Sequence, residues 1–183
     1  MITERTDEEI AQAVQKGDSS AFGILLDRYE AKLLRYGRRF LREEDDVRDA
    51  VQEAFIKTYV NIQSFDPVRR FSPWIYRIAH NEFVNALKKR KETVSLSEFD
   101  TIFPHPVAKE ATGDVAEAAE LRRLLDGGLQ KLDAKYREPL VLYYFEDMDY
   151  KEIAEVLHIP SATVGVRLKR GREALLKHVE NKA

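Results

Sequence analysis

Between residues 149 and 177, two segments with the apolar spacing of short helices meet at a His-Ile-Pro tripeptide. Asp149 and Glu152 have the spacing of a capping box, which predicts where the first helix begins. Pro160 predicts the break, because proline cannot continue a helix, and Ser161 is the expected cap of the second helix. This order of helix, tight turn and helix is typical of a helix-turn-helix, whose second helix enters the major groove of DNA.

The second helix of this motif is expected to be apolar on one side and basic on the other. Four residues at helical spacing should face the core: Val164, Leu168, Gly171 and Leu175. Four cations lie mostly outside that face: Arg167, Lys169, Arg170 and Arg172. A solvated helix at the end of a chain would carry similar charge. The capping and turn pattern, rather than the charge, therefore favours DNA binding.

The distribution of charge supports two contacts with nucleic acid. The 183 residues are 44% hydrophobic, which is enough for the cores of one or two domains, and their formal net charge is −2. Residues 67–91 nevertheless contain seven lysines and arginines against one acid, Glu82, and residues 161–177 contain five against Glu173. Residues 92–126 between them are mostly acidic. Two basic segments in an otherwise acidic chain predict two separate phosphate contacts.

Several classes of function are disfavoured by what the sequence lacks. There is no cysteine, which excludes disulfides, thiolate catalysis and cysteine-ligated zinc. The first ten residues are too charged for a signal peptide, and no apolar run approaches a membrane span. The four histidines show no metal-ligand spacing, and no glycine-rich phosphate-binding motif occurs. We expect a cytoplasmic protein that is not an enzyme, with no cofactor, no metal site and no membrane insertion.

Helical periodicity dominates and predicts an all-α fold of two small helical bundle domains. Thr6 and Glu9 have capping-box spacing, a second helix should follow Asp18, and two more should cover Glu43–Ile62 and Phe71–Lys91. Residues 93–113 show no sustained period and indicate a flexible linker. The predicted divisions are residues 1–92, the linker 93–113, and residues 114–183.

The C-terminal domain should contain further helices before the helix-turn-helix. A helical pattern from Val115 to Leu132 is interrupted by Gly127-Gly128, which predicts a break or kink there. Another helix is expected from about Ala134 to Glu146. Pro139 should lie near its first turn or bend it.

The segment Glu43–Ile62 has two different faces. One is largely apolar and should pack: Val47, Val51, Ala54, Phe55, Thr58 and Ile62. The other is acidic around one apolar residue: Asp45, Asp46, Asp49, Gln52, Glu53 and Ile56. Such a face suits a basic partner helix, although an ordinary solvated face would show the same pattern.

The segment Phe71–Lys91 carries a polar face typical of nucleic-acid binding. Its members are Trp74, Arg77, Asn81, Asn85 and Lys88. Asparagine can read base edges, an aromatic ring can stack on an unpaired base, and cations neutralise phosphates. The preceding loop carries Arg69 and Arg70 and can hold an extruded base. Partial burial of Trp74 against this loop is the competing interpretation.

Taken together, these segments resemble the extracytoplasmic-function (ECF) group of bacterial RNA polymerase sigma factors, the compact two-domain type of the sigma-70 family. The resemblance covers nearly the whole chain. Its most specific part is the Trp-Ile-Tyr-Arg-Ile-Ala-His-Asn run from Trp74 to Asn81, followed by the terminal helix-turn-helix. It implies a protein that binds core RNA polymerase, reads the −10 and −35 promoter elements and catalyses no reaction.

The resemblance also assigns roles by position. Five residues match the motif that docks on the polymerase β′ clamp: Asp46, Asp49, Gln52, Glu53 and Phe55. By its place on the apolar face, Phe55 should support that surface from behind, whereas Asp45 and Ile56 belong to it. The candidate −10 residues are Arg69, Arg70, Trp74, Arg77, Asn81, Asn85 and Lys88. The candidate −35 residues are Ser161, Thr163, Arg167, Lys169, Arg170 and Arg172.

The implied partners are the β′ clamp and β flap of core RNA polymerase, promoter DNA and an anti-sigma factor. The chain departs from the family pattern at Arg48, where an acid is usual, and at Gly165 and Val166 in the recognition helix. Two other functions stay open at this point. One is a freestanding helix-turn-helix regulator that binds duplex DNA, and the other is a helical adaptor that binds only proteins.

Overall fold

The computed structural model describes residues 5–41, 43–93, 125 and 127–180. Helices connected by turns make up these residues, and no strand occurs among them. They form two compact units, one containing the helices up to residue 93 and the other containing most of the later helices. The predicted all-α class and two-domain organisation are therefore confirmed. Helix α4 extends through Thr93, and the rest of the predicted linker lies outside the described residues, so the linker stays a prediction.

Within residues 5–41 and 43–93, the N-terminal unit has four α-helices and two short 3₁₀ turns. The helices are α1 (Asp7–Gln15), α2 (Phe22–Gly37), α3 (Glu44–Val60) and α4 (Phe71–Thr93). The 3₁₀ turns are Ser19–Ala21 and Ile62–Ser64. The predicted capping box is present at α1, where Thr6 Oγ1 accepts the Glu9 N–H and the Glu9 carboxylate accepts the Thr6 N–H.

The core of this unit includes an aromatic cluster that packs against α4. Tyr76 and Phe83 are fully buried, and the Tyr36 ring lies 5.2 Å and 5.8 Å from them, centroid to centroid. Phe40 stacks on Phe83 at 5.4 Å. The apolar stripe of α3 is also buried, as its spacing predicts. With their apolar sides enclosed, α3 and α4 present their polar sides outward.

The C-terminal unit contains α5 (Ala134–Tyr144), α6 (Tyr150–Leu157) and α7 (Ser161–Glu180), preceded by a helical stretch at 127–131. Asp149 caps α6 in the predicted box with Glu152. Pro139 lies inside α5, beyond its first turn, where it is buried and removes one backbone donor.

The turn between α6 and α7 is made differently from the prediction. Helix α6 already ends at Leu157, because His158 adopts the left-handed conformation at φ 53° and the Ile159 N–H donates to the Ala154 carbonyl at 3.1 Å. This is a Schellman-type ending, so it precedes the proline. Ser161 is the first residue of α7 rather than the residue before it, and the Pro160 carbonyl accepts the first backbone bonds of the helix.

Gly127 and Gly128 also differ from the prediction. Both are helical within the stretch 127–131, so the chain does not break at either glycine, and the alternative of a kink stays a prediction. A side chain at Gly128 would place its Cβ 2.6 Å from Leu175 Cδ1 of α7. Close contact between helices, rather than a turn, explains this glycine. Gly171 has a similar role, since its Cβ would lie 2.9 Å from Leu140 Cδ1 and 3.1 Å from the Tyr136 carbonyl oxygen.

Candidate promoter and polymerase interface

The acidic face of α3 is exposed as predicted. All six of its residues are solvent-exposed: Asp45, Asp46, Asp49, Gln52, Glu53 and Ile56. Ile56 is 51% exposed at the centre of this face, whereas Phe55 is only 6% exposed and packs edge-on against Phe22 at 6.5 Å. Phe55 therefore lies on the buried side of α3, as its place on the apolar face predicts, and its role in supporting the surface stays a prediction. We call these six exposed residues the docking face.

An apolar groove adjoins the docking face, and the sequence interpretation missed it. Tyr59 and Val60 are 43% and 71% exposed. Residues of α2 and α3 line the groove, among them Leu26, Leu34, Arg48, Gln52, Ile56, Tyr59 and Val60. The available signal was the spacing, because Tyr59 and Val60 follow Ile56 by three and four residues and so share its side of the helix. Arg48, which lines the groove, adds one positive charge beside the acidic docking face.

The polar face of α4 is only partly open. Asn81, Asn85 and Lys88 are exposed, whereas Trp74 and Arg77 are half-buried. The Trp74 ring lies 5.2 Å from Phe65 and 5.6 Å from Phe71, so it does rest against the loop before α4, as the competing interpretation proposed. Its partial exposure still leaves part of the ring accessible to a stacking base.

The single acid of this basic segment faces away from the polar face of α4. Glu82 is only 9% exposed, and its carboxylate accepts a hydrogen bond from Lys57 Nζ of α3 at 2.7 Å. This hydrogen bond raises the pKa of Lys57, which also approaches Glu53 at 3.6 Å. A lysine of α3 therefore offsets the charge of Glu82, and the cations of α4 dominate its exposed side.

The loop before α4 presents its cations outward. Arg69 and Arg70 are exposed, and Val68 between the loop ends is 93% exposed. The Asp66 carboxylate accepts a hydrogen bond from the Val68 N–H at 3.0 Å. The Asp66 backbone carbonyl accepts one from the Arg69 N–H, also at 3.0 Å. These local bonds shape an ordered turn whose outer surface is positively charged.

Helix α7 separates apolar and basic positions as predicted. Val164, Leu168 and Gly171 are buried, and Leu175 is half-buried. Of the candidate −35 residues, four are exposed: Ser161, Lys169, Arg170 and Arg172. The remaining two, Thr163 and Arg167, are half-buried on the flanks of the helix. The Arg172 guanidinium also reaches the Tyr144 hydroxyl at 3.4 Å.

Arg167 has an acidic neighbour that sequence reasoning did not identify. Burial raises the pKa of the Glu138 carboxyl of α5 to about 7, and the positive charges of Arg137 and Arg167 act against that rise. The positive charge of Arg167 also acts on Lys135 of α5, where it opposes the rise in the lysine pKa that Asp133 causes. This arrangement places Arg167 towards α5, so it differs from the outward-facing Lys169 and Arg170.

Neither a metal-binding cluster nor a membrane span is found among the described residues. No cluster of three or more histidine, aspartate or glutamate side chains that could hold a metal ion occurs among them. None of the helices within the described ranges is long and apolar enough to cross a membrane.

Comparison with known proteins identifies the family. Residues 25–93 match the model of sigma-70 region 2, and residues 122–175 match that of sigma-70 region 4. The ECF RNA polymerase sigma factor SigW of Bacillus subtilis is 38% identical over 92% of this chain and 94% of its own length. The ECF RNA polymerase sigma-E factor of Escherichia coli K12 is 33% identical over 98% of this chain and 97% of its length. The chain belongs to the ECF group of sigma-70 factors.

The solved structure of CnrH in complex with the cytosolic domain of CnrY supports the same fold. It is 28% identical, has a TM-score of 0.68, and the match covers 97% of this chain and 99% of CnrH. Because both sigma regions match, this sigma factor has more than the single helix-turn-helix of a freestanding regulator. The comparisons therefore favour the sigma-factor function over that alternative. The assignment of individual residues to DNA or polymerase stays a prediction.

Proposed function

We propose that this sigma factor binds core RNA polymerase through the docking face of α3 and the adjoining groove. The six residues of the docking face supply acidic and amide groups around Ile56, and the groove adds the apolar surface of Tyr59 and Val60. A basic, amphipathic helix such as one strand of the β′ clamp coiled coil would satisfy both parts. The C-terminal unit provides the contact with the β flap.

In this proposal, the polar face of α4 and its preceding loop capture unpaired bases of the −10 element. Asn81 and Asn85 read base edges, the exposed part of Trp74 supports a flipped base, and Lys88 contacts phosphate. Arg69, Arg70 and Arg77 contribute positive charge beside them. Opening of the duplex then follows from differential binding, because the face binds bases that are flipped and not bases that are paired.

Helix α7 reads the −35 element from the major groove. Lys169 and Arg170 project outward and contact bases or phosphates, while Ser161, Thr163 and Arg172 contact the DNA from the ends and flanks of the helix. Arg167 contributes mainly to the electrostatics of the helix, because it lies towards Glu138. The glycine and valine at 165 and 166 leave the centre of the reading face without a hydrogen-bonding side chain.

The protein carries out no chemical step and acts in the cytoplasm, where core RNA polymerase works. An anti-sigma factor is a further partner. CnrH, the structural relative at 28% identity, was solved with the cytosolic domain of CnrY, which supports a protein partner of this kind.

The observation that carries the proposal is the arrangement of α4. Asn81, Asn85 and Lys88 are exposed together, while Glu82, the only acid among residues 67–91, is turned to Lys57. The proposal is tested by adding the purified protein to core RNA polymerase and sequencing run-off transcripts from fragmented genomic DNA of the source organism. We expect defined start sites that share two spaced upstream motifs.

Variants make this experiment specific. Asn81→Ala should abolish most of these start sites without reducing core affinity, whereas Gln12→Ala, an exposed amide on α1, should leave them unchanged. Transcription no different from that of core alone would contradict the proposal. Tight specific binding of duplex DNA by the isolated protein would instead support a freestanding regulator.

A further inference from the structure

Helix α1 precedes the residues that match sigma-70 region 2, which begin at residue 25, yet it is firmly attached to them. The Asp7 carboxylate accepts hydrogen bonds from Arg28 Nη1 and from the Tyr29 hydroxyl, both at 2.6 Å. Burial and the Asp7 carboxylate raise the pKa of Tyr29, so this hydroxyl stays protonated and donates. These bonds fix the N-terminal end of α1 against α2.

At its other end, α1 holds the chain that enters the basic loop. The side-chain amide of Gln15 donates to the carbonyl oxygens of Ile62 and Phe65, at 2.8 and 2.7 Å. Gln63 returns a hydrogen bond from its own amide to the Gln15 carbonyl at 3.0 Å. Both amide hydrogens of one partly buried glutamine are therefore used to fix the backbone just before the loop.

The chain that leaves the loop is held by the same helix. The Glu8 carboxylate accepts the backbone N–H of Phe71, the first residue of α4, at 2.8 Å. A carboxylate at this position also interacts favourably with the positive end of the α4 dipole. Glu8 and Gln15 thus attach to the two ends of residues 66–70, the segment that carries Arg69 and Arg70.

The two residues whose backbones α1 holds also carry the two rings on which Trp74 rests. Phe65, whose carbonyl is held by Gln15, and Phe71, whose N–H is held by Glu8, are 3% and 0% exposed, and the Trp74 ring rests on both. A displacement of either backbone segment would move the surface that supports Trp74. Because α1 fixes this surface before DNA binds, less conformational entropy is lost in ordering the loop when a base is captured.

We propose that α1 is a positioning element for base capture, with Gln15 and Glu8 as positioning residues that pre-organise the loop at residues 66–70 and the Trp74 surface. This inference rests on the proposed function of α4. It assigns to a helix outside the matched region an indirect effect on promoter opening, which α1 exerts through the loop at residues 66–70 and through Trp74.

The test uses the holoenzyme formed from core polymerase and the full chain. Its DNA is a fork with a single-stranded non-template −10 segment, built on a promoter that the wild-type holoenzyme transcribes. Gln15→Met keeps the length of the side chain but removes both donors. We expect about tenfold weaker binding of the fork, which corresponds to about 1.4 kcal/mol, with unchanged affinity for core polymerase. Gln12→Met, an exposed change on the same helix, should bind the fork like wild type.

Glu8 gives an independent second test. Glu8→Gln keeps an oxygen that can accept the Phe71 N–H and should retain most of the fork affinity, whereas Glu8→Ala should lose about as much as Gln15→Met. Rescue by the conservative variant would support positioning through this hydrogen bond. Equal losses for Glu8→Gln and Glu8→Ala would contradict it.

The outcomes separate this inference from the proposed function. If the wild-type holoenzyme does not prefer the unpaired −10 segment, the proposed function fails and the inference fails with it. If the wild type shows that preference and Gln15→Met shows it equally, only the role of α1 is refuted. Parallel losses of fork binding, core affinity and thermal stability in Gln15→Met would show a purely structural helix, and would also overturn the inference.

Discussion

Replacing Glu138 by glutamine should change how the stability of the C-terminal unit depends on pH. Burial raises the pKa of Glu138 from 4.5 to about 7, against the opposing charges of Arg137 and Arg167 and alongside the like charge of Asp133. In the unfolded chain the carboxyl titrates near its ordinary value, so between about pH 4.5 and 7 the folded state binds more protons. Stability is therefore greatest below the unfolded pKa and is lost as the pH rises through the folded pKa.

The size of this effect follows from the two pKa values. Titration of this one carboxyl should cost the unit at most about 2 to 3 kcal/mol between pH 5 and pH 8. Glu138→Gln has no carboxyl to ionise, so its stability relative to wild type should improve by that amount over the same interval. Glu173→Gln, the same change at an exposed position of α7, should show no such pH-dependent gain.

Hydrogen–deuterium exchange of peptides from α5 and α7, corrected for intrinsic exchange rates, measures this directly. Peptides from α2 and α3 in the same sample provide an internal control, because they belong to the other unit. We expect wild type to lose protection in α5 and α7 as the pH rises, relative to Glu138→Gln. Parallel curves for the two proteins would refute the assignment of a raised pKa to Glu138.

Substitutions at four other positions test the packing, the cap of α6 and the docking face. Gly171→Ala should destabilise the C-terminal unit by about 1 to 3 kcal/mol, because the new methyl group would lie 3.1 Å from the Tyr136 backbone carbonyl oxygen, which cannot easily move, and 2.9 Å from Leu140 Cδ1; a rise in unfolding temperature would contradict this. Asp149→Ala removes the cap of α6 and should lower the free energy of unfolding by about 1 kcal/mol, measured by denaturant unfolding. Asp149→Asn keeps a capping oxygen and should retain most of that stability. Phe55→Ala should cost about 3 to 5 kcal/mol of stability, whereas exposed Ile56→Ala should leave the unfolding temperature nearly unchanged and weaken core polymerase binding. The reverse pattern would place the docking face elsewhere.

Local features of this fold could be predicted because their determinants are close in sequence. The capping boxes at Thr6 and Asp149 and the two faces of α3 depend on residues three or four positions apart, and the structure has them as expected. The break at His158-Ile159-Pro160 was predicted in the right place, but its cause was not, because a left-handed histidine has no strong sequence signal, whereas the neighbouring proline has one. The first residue of α7 was consequently misplaced by one position.

Features that depend on distant contacts could not be predicted from the chain. Gly128 appeared to be a helix breaker, since nothing local indicates that Leu175 lies 2.6 Å from its absent Cβ. The same holds for Gln15, which bonds to carbonyls 47 and 50 residues away. The sequence did not show that Arg167 has Glu138 as a neighbour, because Glu138 lies on another helix, and the −35 role of Arg167 stays a prediction. The sequence could predict which candidate residues are exposed, but not the distant residues that hold them in position.

The central claim is that this chain enables core polymerase to open promoter DNA by capturing bases on α4. Permanganate modifies unpaired thymines, so it should be applied to a promoter found by run-off sequencing, with core alone, wild-type holoenzyme and Asn81→Ala holoenzyme. We expect reactive thymines on the non-template strand of the −10 element only with the wild-type holoenzyme, and strong loss of reactivity with Asn81→Ala. Equal reactivity with the variant, or none with wild type on a transcribed promoter, would contradict it.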